Sequence, residues 1–173
     1  MQPNLDRLKE RLPDHARDLR INLGVIAGST ALTPAQAWTI AVASAHTARS
    51  PELVAAVEAD APLEPAALAA ARGAAAIMGM NNVYYRFVHF MGDASEYGHM
   101  PARLRMQIIG TPDVDKLDFE LACLAASAIN GCASCVTSHE KVVRERGGTK
   151  EMVQDAVRIA AVLHAVAVAL PTQ

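Results

Sequence analysis

The stretch FELACLAASAINGCASCVTSHE, residues 119–140, contains the clearest helical pattern of the chain and its two closest cysteines. Its first half is rich in alanine and leucine, which favour a helix. Asn130-Gly131 interrupts the pattern, because glycine commonly follows the last turn of a helix. We therefore predict two consecutive helices, one from Asp115 to Asn130 and one from Cys132 to Arg146, with a break at Gly131.

Helix signals also dominate the rest of the chain. Thr33-Pro34 and Ser50-Pro51 each combine an N-cap residue with a proline at the first helical position. Glu64-Pro65 opens a long helical stretch that reaches about Met91, with Gly79 and Asn81-Asn82 as candidate breaks. The other predicted helices are a short one ending near Pro13, one from Asp14 to about Ala27, a short one from Pro101 to Ile109, and a last one that starts at Thr149.

The fold class follows from these helices. No segment alternates between apolar and polar residues over a length that indicates a strand. The 173 residues fit one domain, so we predict a single all-α multihelical domain over residues 1–173. Ala43-Ser44-Ala45 and Ala126-Ser127-Ala128 both lie late in an alanine-rich helix, before a polar turn and another helix. This echo either marks a duplicated helical hairpin or is a chance match of a short pattern.

Composition narrows the class of protein. The net charge is −2 and the basic residues are scattered, so nothing favours nucleic-acid binding. The first seven residues are charged and lack the apolar core of a secretory signal. The longest apolar stretch, Ile159 to Leu170, contains His164 and is short for a membrane span. We expect a cytoplasmic protein without membrane contact, where thiols stay reduced and a close cysteine pair indicates redox catalysis or metal binding.

The spacing of Cys132, Cys135 and His139 places all three on one face of a helix. Neighbours three apart in a helix have Cα atoms about 5–6 Å from each other, a distance that a disulfide accepts. Free amides at the start of the second helix favour a thiolate at Cys132, whereas an imidazole one turn away favours one at Cys135. Glu120 lies before the break and can orient His139 if the two helices fold back on each other.

Two other interpretations of the cysteines remain open. Zinc could take Cys132, Cys135 and His139 as ligands with Cys123 as a fourth, although a second Cys-x-x-Cys motif is missing. Alternatively both paired cysteines are core residues, since free cysteine is often buried. We predict Cys123 itself to be a small core residue. The methionines Met78, Met80, Met91 and Met106 are predicted to be packing residues, and Asn81-Asn82 followed by Tyr84-Tyr85 marks either a helix end or the lining of a cleft.

The sequence resembles the alkyl hydroperoxide reductase D (AhpD) family, within the carboxymuconolactone decarboxylase-like superfamily. The resemblance covers nearly the whole chain. It is carried by Leu19 to Leu23, by Gly73 to Tyr84 with its Met-Gly-Met-Asn-Asn core, by Leu104-Arg105-Met106, and by Phe119 through Glu140. It implies an all-helical fold assembled as a homotrimer, with no bound cofactor or metal.

The resemblance also implies an activity and a role for each site residue. Members are thiol-dependent alkyl hydroperoxidases that carry electrons from a dihydrolipoyl group on a lipoylated protein to a peroxide, or to the partner peroxiredoxin AhpC. Cys135 would be the peroxidatic thiol that becomes a sulfenic acid. Cys132 would resolve it to a disulfide and donate a proton, while Glu120 and His139 relay protons. The best-known members place a histidine just before the second cysteine, where this chain has Ser134, so stabilisation of the thiolate is expected to differ.

Two rival functions would not use the cysteines as a redox centre. A decarboxylase of the carboxymuconolactone type would not need the Cys132–Cys135 pair. A zinc-bound helical interaction module would use the same cysteines as metal ligands rather than as a redox centre. Titration of the thiols with and without peroxide separates these functions from the peroxidase.

Overall fold

A computed structural model describes residues 2–92 and 94–170, and the regular structure in these two ranges is entirely helical. The all-α prediction is therefore confirmed. In chain order the helices are α1 (Pro3–Glu10), α2 (Arg17–Asn22), α3 (Val25–Gly28), α4 (Pro34–Thr47), α5 (Pro51–Asp60), α6 (Pro65–Met91), α7 (Gln107–Gly110), α8 (Lys116–Ile129), α9 (Ala133–Glu145) and α10 (Lys150–Ala169). Single 3-10 turns cover Asp14–Ala16 and Glu96–His99.

The starts of the long helices lie where the capping residues predict them. The side chains of Thr33, Ser50 and Thr149 each accept a hydrogen bond from a backbone amide in the first turn of α4, α5 and α10. A proline occupies the first position of α4, α5 and α6. These caps satisfy amides that have no partner inside the helix, so the local sequence indicates where α4, α5 and α10 begin.

Three predicted segments differ from the structure. The single helix predicted from Asp14 to Ala27 is wrong, because the chain turns at Leu23-Gly24 and thereby buries both Leu23 and Ile26. The helix predicted from Pro101 is wrong in its first part, since Arg103 has a left-handed φ of 51° and only α7 is helical. Neither candidate break interrupts α6, because the Asn82 side chain bonds to Ser127 on α8 and to Asn130 just after it instead of to its own backbone.

The core lies between four helices. α4 and α8 run through the centre, and both α6 and α10 pack against the two of them. Completely buried side chains such as Ile40, Leu121, Leu124 and Leu163 fill the space between them. Many of the other buried positions are alanines, whose small side chains bring helix axes close together. α9 packs on α8 and α6, which places the cysteine segment beside the long α6.

α10 is long and apolar enough to cross a membrane if only length and composition are considered. The sequence pattern suggested a shorter apolar stretch. In the structure Ile159, Leu163 and Val166 are completely buried, and the helix packs against α4 and α8. Core helices of soluble proteins pass the same test of length and composition, and the position of α10 is that of a core helix.

Two hairpins of the fold share one layout. α4 and α8 have 14 residues each, and a residue with positive φ follows each of them, Arg49 at 58° and Gly131 at 67°. The next residues, Ser50 and Cys132, are the N-caps of α5 and α9. This layout agrees with a duplicated hairpin. Aligning the two hairpins at Arg49 and Gly131 pairs Ala45 with Ser127, which differs by one residue from the pairing given by the two Ala-Ser-Ala matches. The redox pair occurs in the second hairpin alone, because the first has Ser50 and Leu53 at the corresponding positions.

Candidate active site

The turn between α8 and α9 fixes the position of the first cysteine. Gly131 donates its amide to the Ala128 carbonyl, and Cys132 donates its amide to the Ser127 carbonyl, which together make a Schellman motif. Gly131 adopts the left-handed φ of 67° that this motif requires. Cys132 therefore lies at the N-cap of α9. The sequence predicts it one position further on, in the first turn of the helix.

Cys132 and Cys135 are joined as a disulfide, with their Cα atoms 5.3 Å apart. This agrees with the separation predicted from a three-residue spacing in a helix. The two residues are unequally accessible, since Cys132 is completely buried and Cys135 is 6% exposed. Ser134 lies with its Oγ 3.6 Å from the sulfur of Cys132 and so contacts the buried cysteine.

His139 is held between two helices. Its Nδ1–H donates to Glu120 Oε2 on α8 over 2.5 Å, and its Nε2 lies 3.2 Å from Met78 Sδ on α6. The other oxygen of Glu120 pairs with Lys116 Nζ at 2.5 Å. The predicted approach of Glu120 to His139 therefore occurs, because α9 folds back along α8. Met78 is completely buried in the core, as predicted for a packing residue, and its sulfur also contacts the His139 ring.

The Glu120 carboxyl is ionised at neutral pH despite its burial. Burial is the largest single influence and opposes ionisation, but hydrogen bonds from His139 and Lys116 together outweigh it. The pKa of Glu120 therefore lies below the usual value for a glutamate. The ionised Glu120 carboxylate accepts the Nδ1–H bond and thereby fixes the orientation of the His139 ring, a side chain that can relay a proton to a leaving group.

Cys123 is separate from this chemistry. It lies on α8, completely buried and without a disulfide partner. Burial, with a further contribution from the Glu120 charge, raises the pKa of its thiol well above the usual range, so it stays protonated and unreactive. Cys123 is thus a small core residue, as the sequence predicts. Within residues 2–92 and 94–170 no three His, Cys, Asp or Glu side chains are arranged to hold a metal ion.

A cavity of about 250 Å³ opens beside the disulfide. Cys135 and His139 contribute to its wall, whereas Cys132 does not. The remaining lining residues come from α6, α7 and α9 and are Asn81, Tyr85, Ile109, Ser134 and Ser138. Of the Asn81-Asn82 and Tyr84-Tyr85 stretch, Asn81 and Tyr85 line this cleft, and the stretch does not end α6. Ile109 was missed by sequence reasoning, because no local pattern connects it to α9, some 25 residues further along.

The neighbouring Asn82 ties α6 to the end of α8. Its Nδ2 donates to Ser127 Oγ over 3.0 Å, and its Oδ1 accepts from Asn130 Nδ2 over 2.9 Å. Arg86, one turn further along α6, donates to the Asn130 carbonyl over 2.5 Å. These bonds attach α6 to the turn that precedes Cys132, so the cavity wall and the disulfide are held in a fixed relation.

Comparison with known proteins identifies relatives over nearly the whole chain. The model of the carboxymuconolactone decarboxylase family matches residues 95–171. The protein named alkyl hydroperoxide reductase AhpD of Gluconacetobacter diazotrophicus is 56% identical over 169 residues, which is 96% of this chain and 92% of that protein. The proteins of the same name from Rhodospirillum centenum and Anaeromyxobacter sp. are 52% and 54% identical, cover 98% and 96% of this chain, and are themselves covered to 92% and 90%.

Proposed function

Because this chain belongs to the AhpD family of alkyl hydroperoxide reductases, we propose that it reduces organic hydroperoxides through reversible opening of the Cys132–Cys135 disulfide. One observation supports this most directly. The disulfide lies at the wall of a cavity, and a histidine paired with a buried carboxylate lines the same space. The arrangement provides a nucleophile, a proton source and room for a small substrate in one place.

The proposed reaction begins with the reduced pair. The Cys135 thiolate attacks the terminal oxygen of the hydroperoxide, and the electron pair of the O–O bond leaves with the alkoxide. His139, which the Glu120 carboxylate holds in place through Nδ1, supplies the proton that converts the alkoxide to an alcohol. Cys135 is then a sulfenic acid. The assignment to Cys135 is supported by its place at the cavity, which Cys132 does not line.

Resolution of the sulfenic acid needs only the second cysteine. Cys132 lies one helical turn away and attacks the oxidised sulfur, so that the disulfide forms and water leaves. The thiol proton of Cys132 ends in that water, which makes Cys132 the proton donor of this step. The compact N-cap position favours rapid capture, because little rearrangement is needed to bring the sulfurs into contact.

A dithiol must return two electrons for a further turnover. We propose a dihydrolipoyl group of a lipoylated protein as the donor. Its first thiolate attacks the sulfur of Cys135 and releases the thiolate of Cys132. Its second thiol then attacks the lipoyl sulfur of the mixed disulfide, which releases Cys135 as a thiolate and leaves the lipoyl group oxidised. The exposed edge of Cys135 supports attack at this sulfur. The same reduced pair could pass its electrons to the disulfide of a peroxiredoxin of the AhpC type. We place this chemistry in the cytoplasm, where thiols are kept reduced.

A coupled assay tests the proposal. Purified protein is mixed with cumene hydroperoxide, lipoamide, dihydrolipoamide dehydrogenase and NADH, and NADH oxidation is followed. We expect turnover that requires both lipoamide and hydroperoxide. The Cys132→Ser/Cys135→Ser protein should be inactive, while Cys123→Ser serves as the matched control and should stay active. Folded wild-type protein without turnover, or a double variant with full activity, would contradict the proposal and favour a cysteine-independent reaction of the decarboxylase type.

A further inference from the structure

Lys116, at the start of α8, is a lysine with a largely buried side chain. That side chain is 18% exposed, and its Nζ lies 2.5 Å from Glu120 Oε1. The same ammonium group donates a hydrogen bond to the backbone carbonyl of Ile109 in α7. Lysine is mostly exposed in proteins, because burial of an ammonium group is costly unless its charge and its protons find partners. Here two partners from different segments hold the group in place.

The first of these contacts acts on the proton relay. Glu120 uses its two oxygens for different partners, since Oε1 faces Lys116 and Oε2 accepts the Nδ1–H of His139. Because a carboxylate is planar, a partner that fixes Oε1 also fixes the direction in which Oε2 meets the imidazole. Burial alone would raise the pKa of Glu120, and the hydrogen bonds from His139 and Lys116 bring it below the usual value. Lys116 therefore supports both the orientation and the charge of Glu120.

The second contact acts on the wall of the cavity beside Cys135. Ile109 lines that cavity and belongs to α7, a helix of four residues. A helix this short is not stable by itself. Among the described residues, the other hydrogen bonds of α7 stay between residues 105 and 111, and the bond from Lys116 joins it to α8. Lys116 therefore holds the segment that places Ile109 at the cavity.

We propose that Lys116 is a positioning residue for hydroperoxide reduction, because one ammonium group holds Glu120 toward His139 and Ile109 toward the substrate. This inference rests on the function proposed above. Lys116 does not line the cavity itself, so it acts through the residues that it holds. Loss of the ammonium group should weaken proton transfer to the leaving alkoxide and loosen α7 at the same time.

Two rate constants measured on the reduced protein separate proton transfer from formation of the thiolate. Cumene hydroperoxide and iodoacetamide both react with the Cys135 thiolate, but only the hydroperoxide releases an alkoxide that needs a proton. The ratio of the two rate constants therefore cancels the ionisation of the thiol. Rapid mixing gives the first rate constant, and mass spectrometry of Cys135 alkylation gives the second. Lys116→Met should lower the ratio about tenfold at pH 7, a part of the 10²–10⁴-fold that a positioned proton donor contributes.

The dependence of this ratio on pH is a readout that a purely structural role would not change. The charged groups bonded to Glu120 are Lys116 on its own helix and His139 on α9, while the nearby Cys123 thiol stays neutral. Without Lys116 the pKa of Glu120 rises, so the carboxylate is protonated at a higher pH. The ratio should then fall more steeply between pH 7 and pH 5 than in the wild-type protein. Lys116→Arg keeps the charge and the donors and should restore the wild-type profile.

Hydrogen exchange measures the effect on the cavity wall. Amides of residues 107–110 should exchange faster in Lys116→Met than in the wild-type protein. Lys141→Met, which removes an exposed lysine from α9, is the matched control and should change neither the ratio nor the exchange of α7. If Lys116→Met does not fold, Lys116→Gln takes its place, because it has no charge but can still donate a hydrogen bond. Its ratio should also fall more steeply at low pH, in contrast to that of Lys116→Arg.

The outcomes separate this inference from the proposed function. If the wild-type protein forms no sulfenic acid or disulfide with the hydroperoxide, the proposed function itself fails. If the wild-type protein reacts and the neutral variant keeps the wild-type ratio at every pH, the inference alone is wrong. Equal slowing of both reagents would also overturn it, since Lys116 would then act on the thiolate rather than on the proton relay. Unchanged exchange of α7 in Lys116→Met would contradict the part that concerns the wall.

Discussion

The two sulfurs of the redox pair differ in what surrounds them. Cys135 contributes to the cavity wall and is slightly exposed, whereas Cys132 is completely buried at the N-cap of α9 next to Ser134. Helix amides and the dipole act most strongly on Cys132, so electrostatics alone does not assign the roles. Access of a substrate to the sulfur favours Cys135, so we expect Cys135 to be the attacking thiol.

Single substitutions should therefore have unequal effects. Cys135→Ser should form no sulfenic acid with peroxide and lose turnover. Cys132→Ser should consume about one equivalent of peroxide and stop as a sulfenic acid, because no neighbouring thiol captures it. Trapping with dimedone followed by mass spectrometry of each protein measures both outcomes. An adduct on Cys132 in the first variant and none on Cys135 in the second would show that the roles are reversed.

The second prediction at the scale of single residues concerns Glu120. Its pKa is lowered in the folded protein, so its charge stabilises the fold at pH values above the usual carboxyl pKa, and this contribution is lost as the pH falls. Glu120→Gln should destabilise the protein by about 3 kcal/mol at pH 7, because Lys116 and His139 lose a buried ionised partner. Urea unfolding at pH 7 and pH 4 measures this.

The change in the free energy of unfolding between pH 7 and pH 4 provides the check on that prediction. The stability lost by the wild-type protein between pH 7 and pH 4 should be smaller in Glu120→Gln, which has no charge to lose at this position. Asp118→Asn, on the same helix but bonded to Gln36, is a matched control for the loss of one carboxylate from α8. A variant with the wild-type dependence on pH would mean that Glu120 is not ionised in the fold.

At the scale of elements, the turn between α8 and α9 decides where the redox pair lies. Gly131 needs its left-handed backbone for the Schellman bonds, and an added Cβ would meet nothing within 4 Å. The effect of Gly131→Ala is therefore backbone strain rather than a steric clash. The free energy of unfolding should fall by about 1 kcal/mol, measured by thermal unfolding. Arg49→Gly changes the corresponding turn of the first hairpin in the favourable direction and should not destabilise the protein.

At the scale of the whole molecule, α6 presents an exposed apolar face. Val83, Phe87 and Phe90 are spaced by four and three residues and therefore share one side of the helix. Their exposed fractions are 60%, 43% and 75%, although α6 packs its other side against α4 and α8. A continuous apolar strip of this kind is typical of a surface that another subunit covers.

We expect this face to lie in a contact between copies of the chain, as in the homotrimer that the family resemblance implies. Light scattering coupled to size exclusion should give a mass near three times the 18.4 kDa of the chain at micromolar concentration. Val83→Glu/Phe90→Glu should lower that mass while the helical content is kept, and Val83→Thr/Phe90→Tyr, which adds no charge, should not. A monomeric wild-type protein would contradict the prediction.

The sequence by itself determined the helices and the spacing of the cysteines. Capping residues act on amides of the same turn, and a three-residue spacing within a helix fixes two sulfurs as neighbours, so both can be inferred from local sequence. The exceptions among the helices, such as the turn at Leu23-Gly24, occur where burial of an apolar side chain outweighs a local preference.

Only the tertiary structure decided what surrounds the disulfide. The contacts of His139 with Glu120 and with Met78 join three different helices, and the partner of Ser134 depends on how α9 leaves the turn. Asn81 and Asn82 are identical and adjacent, yet packing gives the amide of Asn82 two partners on or just after α8 and leaves the Oδ1 of Asn81 buried without a partner among residues 2–92 and 94–170. Local propensity cannot distinguish them, because hydrogen bonds between helices follow from the way the helices pack.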